Sequence, residues 1–352
     1  MKFFKTYKNP LDLLYILADQ INKFFKKSRK IPSAKTISIG NITTGGTGKT
    51  PAVIYFARLL KEKFKPAILC RGYGGTKVKK GGILSDGKKI QMSVEESGDE
   101  PYLLAANLMG IPVAVGRRRH RTAGLFRKKN FDLNLFILDD GFQHYALRRD
   151  LDIVLIDAYN PFGNGHILPL GTLREPPEAL KRAHIIVVTK SNLISKEALS
   201  KLKEKLRLLC GHDRIYFSIH RPVSLIQLPF QYNAAAASEE KNLKFLKNKE
   251  IWALSGIGSH RAFEQTLLNL GAKTINNISY RDHHKYTIRN IQSIVKRVKA
   301  DDILITTEKD WVKLEAFAEH FSHLNNFYYL KIEFTVIESE KKLLEEVISL
   351  IR

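Results

Sequence analysis

"GNITTGGTGKTP", residues 40–51, joins an apolar extended run from Thr36 to Ile39 to a helix-like run from Lys49 to Glu62. Gly45, Gly46 and Gly48, with Thr47 between them, allow successive backbone N–H groups to converge on oxyanions. Lys49 offers an ammonium to the outer phosphates of a nucleotide, and Thr50 can place its hydroxyl on a magnesium ion. The helix that follows turns its positive end toward the same point. The strict pattern G-x-x-x-x-G-K-[ST] is not met, because Thr43 stands where its first glycine belongs. The pair Gly45–Gly46 takes its place. A tight strand-to-helix turn without any phosphate is the bland alternative, and Gly-Lys-Thr in this context favours the phosphate cradle.

Beyond this turn the chain alternates short apolar runs with helical patterns. "KTISIG", "KPAILC", "IPVAVG", "LNLFILDD", "LDIVLID" and "HIIVVTK" read as buried strands. That rhythm predicts an α/β fold of the P-loop NTPase type, a parallel sheet with helices on both faces. Residues 222–249 are polar and alanine-rich and read as a connection. A smaller C-terminal α/β domain follows, with strands at "IWALSG" and "DDILITT" and helices around 260–270, 287–299 and 338–351. The expected organisation is therefore an N-terminal helix over 1–30, a P-loop domain over 31–221 and a second domain over 222–352.

Composition narrows the partners without choosing one. The 58 Lys+Arg against 35 Asp+Glu give a formal charge of +23, which suits nucleic acid, an anionic membrane surface or a phosphorylated substrate. Two cysteines, Cys70 and Cys210, are too few for a disulfide framework and point to a reducing compartment. Within residues 1–30, Leu13, Leu14, Leu17, Ile21, Phe24 and Phe25 share one helical face, flanked by lysines. Such a stripe suits a bilayer interface as well as a protein core. Asp12 and Asp19 interrupt it, so it is not a spanning segment.

A nucleotide site of this kind needs carboxylates near its metal. Asp139 and Asp140 close an apolar strand side by side, an arrangement that a cation relieves. Asp157 ends the next strand and is the competing candidate. For a base, "ESGDEP" offers Asp99 and Glu100, although Ser97 or Asp99 there also reads as a helix N-cap. "RDHHKYT" offers Asp282, His283 and His284, equally readable as a solvated turn.

Taken together, "GNITTGGTGKTP", "RGYGG", "GDEP", "VGRRR", "LDDGFQH", "LREP" and "DHHKYT" stand in an order that resembles the tetraacyldisaccharide 4'-kinase family of lipid A biosynthesis. The resemblance spans about residues 10–310 and accounts for the shortened phosphate loop. It implies ATP with Mg²⁺ at Gly45 to Thr50, Lys49 on the phosphates, and Thr50, Asp139 and Asp140 at the metal. It implies Asp99 as base with His283 as its partner, against the cap reading. It implies substrate contacts at Arg71, Tyr73, Arg119, Gln143, His144, Arg174 and Glu175. The implied acceptor is an acylated glucosamine disaccharide 1-phosphate. The implied location is the cytoplasmic face of the inner membrane, held through the N-terminal helix, with neither nucleic acid nor an obligate protein partner.

Two departures from the family pattern stand out. Ser259–His260 follows G-I-G where Asn-Pro is usual, and Tyr280–Arg281 precedes D-H-H where Phe-Pro is common. Two other readings remain. A GTPase or ATPase of the metallochaperone type would carry a guanine-reading Asn-Lys-x-Asp, yet "VVTKSNL" has Thr189–Lys190 without the aspartate. A non-catalytic basic module binding membranes or nucleic acid explains the charge but not the glycines and acids at strand ends.

Overall fold

The run read from Thr36 to Ile39 lies within β1 (Lys35–Asn41), buried at every position but its first. The structure is a computed structural model that describes Pro10, Asp12, residues 28–228 and residues 239–352. The helix expected over residues 1–30 thus falls almost wholly outside the described residues. The chain divides into two units, Met1–His220 with Phe334–Arg352, and Arg221–Glu333.

In the first unit, β1 is followed by α1 (Lys49–Lys61), β2 (Pro66–Cys70), β3 (Gly82–Ser85), α2 (Val94–Ser97), α3 (Asp99–Asn107) and β4 (Val113–Val115). Next come α4 (Arg119–Lys128), β5 (Leu135–Asp139), β6 (Leu151–Asp157), β7 (Ile185–Thr189), α5 (Lys196–Cys210) and β8 (Ile215–Gln227). The strands lie in the order β8–β7–β6–β1–β5–β2–β4–β3. All pair in parallel except β3, which runs antiparallel to β4. Both faces are covered, as continuous apolar strands require. Ile37 and Ile39 of β1 pack with Val53 and Phe56 of α1. On the other face Leu69 and Leu138 meet Phe126 of α4, and Val154 and Val188 meet Leu206 of α5.

The second unit is a smaller sheet that includes β9 (Glu240–Lys241), β10 (Glu250–Ser255), then α6 (His260–Asn269), β11 (Thr274–Ser279), α7 (Ile288–Arg297), β12 (Ile303–Thr307), α8 (Glu308–Leu314) and β13 (Asn326–Ile337). β10 pairs in parallel with β11 and β12, and β12 with β13. Beside β13, Leu228 N donates to Phe327 O at 3.1 Å. Leu254, Leu304 and Phe327 pack with Ile291 and Ile294 of α7 on one face, and Ile251, Ile305 and Tyr328 with Phe263 and Leu267 of α6 on the other.

Two sequence expectations differ from this architecture. Residues 222–227 belong to β8 rather than to a connection, because Leu225 is fully buried on an antiparallel pairing with β9. The second domain does not run to the C-terminus. The chain returns to the first unit within β13, and α9 (Glu340–Ile351) places Leu343, Val347 and Ile351 in the core that holds Val53, Phe56 and Leu60. Their i, i+4 spacing makes one apolar stripe, and full burial contributes about 2 kcal/mol for each side chain. Tyr55 Oη ties the start of α9 to α1 by donating to Glu340 Oε1 at 2.7 Å.

Candidate active site

β1 lies between β5 and β6, with Ile39 beside Asp139 and Asn41 beside Leu155. The sheet order turns at this strand, so the loop after Asn41 opens at a carboxyl edge, where α/β sheets bind ligands. Gly48 is the N-cap of α1 in the left-handed region, at φ 82, and no side chain caps that end. A residue other than glycine is strained there. The first N–H groups of a thirteen-residue helix are left without a side-chain acceptor, which is the arrangement that receives an anion. Asn41 organises the loop from below. Its Nδ2 donates to Thr47 Oγ1 at 2.9 Å, and Lys49 Nζ stands 3.4 Å from its Oδ1.

The acidic pair sits beside this lysine. Asp139 ends β5, and Asp140 follows in a left-handed conformation at φ 49. Arg119, fully enclosed at the start of α4, donates from Nη2 to the main-chain oxygens of Asp139 and Asp140 at 2.5 and 3.3 Å. Arg174 Nη1 reaches both carboxylate oxygens of Asp140 at 2.9 and 2.7 Å. The two acids consequently diverge. Burial, then Glu100 and Asp140, push the Asp139 carboxyl up to about 7, against Arg119 and Lys49. Burial also works to raise Asp140, but Lys49 and then Arg174 outweigh it and hold that carboxyl below its ordinary value.

Hard oxygen donors beside the Lys49 ammonium, one of them strongly disfavoured as an anion, fit Mg²⁺. This ion takes one or two carboxylates and leaves its other positions to substrate phosphates and water. Asp139, Asp140 and Thr50 are the residues that would hold it. Among the described residues no cluster of three or more His, Cys, Asp or Glu forms a closed metal cage. Asp157, the competing acid, is taken by Lys190 Nζ at 2.5 Å and by Tyr159 N at 3.0 Å.

Behind the pair lies a second polar layer. Glu175, 1% exposed, accepts from Gln143 Nε2 at 2.9 Å, from Tyr145 Oη at 2.8 Å and from Arg182 Nη2 at 3.0 and 2.9 Å. Gln143 also donates to Asn41 O at 2.9 Å, and Arg182 lies 4.5 Å over the ring of Phe142. Glu175 therefore has no open surface on which to meet an acceptor, and the contact expected of it differs from its place. It orders the segment Phe142 to Tyr145 instead. Arg149 Nη1 holds His144 by its carbonyl at 2.9 Å. Arg71 is exposed after β2, as is Tyr73 at 75%.

Asp99 is the first residue of α3, whose N-cap is Gly98 at φ 95. The cap reading thus fails for both residues named in it. Ser93 caps the short α2 with a reciprocal Glu96 contact, and Ser97 Oγ donates back to Ser93 O at 2.8 Å. Asp99 Oδ1 accepts from Glu100 N at 3.0 Å. The effect of Glu100 on Asp139 puts this helix start within electrostatic reach of the acidic pair.

His283 is carried by the second unit, in a left-handed turn at φ 56. Its Nε2 is 3.3 Å from Lys309 Nζ, and its N–H donates to Asp282 Oδ1 at 3.0 Å. Both departures from the family pattern are absorbed locally. Tyr280 stacks on His284 at 4.4 Å between ring centres, and His260 Nδ1 lies 2.8 Å from Ser255 Oγ.

Residues 5–352 match the tetraacyldisaccharide-1-P 4'-kinase family. The chain belongs to that family. Among its relatives, the tetraacyldisaccharide 4'-kinase of Halothermothrix orenii is 39% identical over 315 residues, 86% of this chain and 80% of that one. The one from Syntrophus aciditrophicus is 42% identical over 297 residues, 82% and 77% of the two chains. The crystal structure of the "apo" form of Aquifex aeolicus LpxK in complex with ATP superimposes with a TM-score of 0.75 at 29% identity, over 97% of this chain and 98% of that one. The family's reaction is ATP-dependent phosphorylation at the 4'-position of the lipid A precursor, and the kinase fold expected from the sequence is the fold found.

Sequence reading missed several residues of this 4'-kinase site. Asn41, inside the opening motif, gave no signal beyond its neighbours. Arg182 and Tyr145 gave none, because their role depends on Glu175 being buried. Lys190 was noticed only as part of an incomplete guanine motif, yet its ammonium reaches Gly46 O at 2.9 Å.

Proposed function

We propose that this chain transfers the γ-phosphate of ATP in line to the 4'-hydroxyl of a tetraacylated glucosamine disaccharide 1-phosphate. The observation that carries the reading is the convergence of Lys49, Asp139 and Asp140 on an uncapped helix start, with α3 beginning close by at Asp99. The loop N–H groups and Lys49 hold the triphosphate and offset charge on the transferring group. Bound Mg²⁺ supplies further charge neutralisation across the phosphates. Asp99 accepts or orients the hydroxyl proton, and His283, assigned from the D-H-H motif, supports it. Arg119 and Arg174 keep Asp139 and Asp140 in place, while Gln143 and Glu175 fix the loop behind them. Arg71, Tyr73 and His144 face the acceptor in this reading.

The reading extends to the membrane. A charge of +23 and the lysine-flanked apolar stripe of residues 1–30 support a seat on an anionic surface, where an acylated substrate resides. Among the described residues no helix is long and apolar enough to cross a membrane. We place the protein on the cytoplasmic face of the inner membrane as a peripheral enzyme.

The test is transfer of labelled γ-phosphate from Mg-ATP to purified tetraacyldisaccharide 1-phosphate in detergent micelles, with product position read by NMR. Label at the 4'-position is expected. Well-folded protein that binds ATP and labels no acylated disaccharide counts against the assignment. For the membrane seat, sedimentation with phosphatidylglycerol vesicles is expected at 0.1 M salt and is expected to fall sharply when residues 1–27 are removed. Equal sedimentation of the truncated chain would remove that segment from the account.

A further inference from the structure

Three consecutive residues of the phosphate loop have a partner from β7, from the residue after it, or from β8. Lys190 Nζ donates to Gly46 O at 2.9 Å. Thr189 Oγ1 donates to Thr47 O at 3.1 Å. At Gly48 a Cβ would lie 2.3 Å from His220 Nε2 and 2.4 Å from its Cε1, so the edge of the imidazole sits on the glycine Cα. A loop that turns its N–H groups toward an anion turns carbonyls the other way, and side-chain donors that meet those carbonyls hold the loop in that shape, the Thr47 carbonyl buried and the Gly46 carbonyl at the surface. Here donors meet two successive carbonyls, and a ring closes the third position.

The supporting residues carry marks of the arrangement. Lys190 holds a left-handed backbone at φ 55, a conformation that persists in a non-glycine residue only where its surroundings enforce it. Its ammonium is fixed between Gly46 O and Asp157 Oδ2, the latter at 2.5 Å. Thr189 is completely buried. His220 Nε2 is buried and has no hydrogen-bond partner among the described residues. Burial, then the Lys190 ammonium, push this imidazole down to about 4, against the opposing effect of Asp157. The ring is therefore neutral near pH 7. With Nε2 turned to a Cα–H group, its proton belongs on Nδ1.

We propose that Thr189, Lys190 and His220 form a brace that holds the phosphate loop in its nucleotide-receiving shape before ATP arrives. They are positioning residues. Their contribution is preorganisation, which lowers the ordering cost met on binding and so appears in affinity for ATP. A side chain at position 48 is disfavoured on two separate grounds, its positive φ and the imidazole opposite.

The proposal rests on the nucleotide reading of the loop, and the experiment separates the two. Calorimetric titration of the full chain with Mg-ATP needs no lipid acceptor. Failure of the parent chain to bind ATP would sink the nucleotide reading itself. With binding by the parent, Thr189→Val, Lys190→Met and His220→Ala are each expected to weaken ATP by about 5- to 20-fold, as loss of one hydrogen bond or close contact does. Stoichiometry is expected to stay near one, whereas a merely structural defect lowers stoichiometry and leaves the Kd of the folded fraction unchanged. His220→Phe, which keeps a ring against Gly48, is expected to recover affinity to within about threefold of the parent. Gly48→Ala is expected to cost less in the His220→Ala background than in the parent, since only the backbone strain then remains. Affinities within twofold of the parent in all three single variants, or additive losses in the Gly48–His220 cycle, overturn the brace. Should Lys190→Met not fold, Thr189→Val and His220→Ala decide the matter.

Discussion

The Asp99→Asn variant is expected to transfer phosphate about 10²- to 10⁴-fold more slowly than the parent, the range over which a positioned proton acceptor contributes. Its KM for ATP is expected to stay within about twofold, because removal of an interaction made in the transition state lowers kcat without touching ground-state binding. Asparagine keeps the size of the side chain and an oxygen that can accept from Glu100 N, the contact seen at 3.0 Å. It therefore leaves the start of α3 in place, and Gly98 rather than residue 99 supplies the N-cap. What it loses is the capacity to take a proton. Lys49, Thr47 and Asn41 are untouched, so the loop that binds the triphosphate stays as it is. The measurement is a steady-state series in ATP at saturating acceptor, with far-ultraviolet circular dichroism to verify folding. Activity within fivefold of the parent would show that Asp99 takes no proton. A large rise in ATP KM with unchanged kcat would place it at the nucleotide instead.

Much of this site was legible because its parts are local. A glycine-rich turn between a buried strand and a helix announces itself in a dozen residues, and the helix expected from Lys49 to Glu62 is α1, Lys49–Lys61. Asp139 and Asp140 were visible because two acids ending an apolar strand conflict with burial unless something compensates. The missing pieces are non-local. Thr189 and Lys190 at the end of β7, and His220 within β8, carry no signal of this role until the sheet order brings β7 and β8 beneath the loop. β13 was overlooked although Leu330, Ile332, Phe334 and Val336 alternate with Lys331, Glu333 and Thr335, the two-residue period of a half-buried strand. β11 was missed because "TINNIS" is a largely exposed edge strand with little apolar signal. The return of α9 to the first unit depends on which core its stripe enters, and a stripe alone does not say.

Glu175 gives the second large effect, and its reason is again burial. Its carboxylate side chain is 0% exposed and pairs with Arg182, which is 34% exposed. Removing one partner of a buried ion pair strands the other charge, at a cost of about 3–5 kcal/mol. Arg182 keeps some contact with water and Glu175 retains Tyr145 and Gln143, so the lower end applies to Arg182→Met. A loss of about 3 kcal/mol lowers the melting temperature by about 6–12 °C in a unit of this size. The variant also removes the guanidinium that covers the Phe142 ring at 4.5 Å, which loosens the segment following the acidic pair. Thermal unfolding followed by circular dichroism reads the first consequence. Neutralising the stranded charge in the Glu175→Gln/Arg182→Met double variant is expected to recover at least half of the lost stability, because what remains are hydrogen bonds that a carboxamide can partly satisfy. A shift below 2 °C in the single variant would mean that water reaches Glu175, and a double variant no more stable than the single would mean that the guanidinium acts through packing on Phe142 rather than through charge.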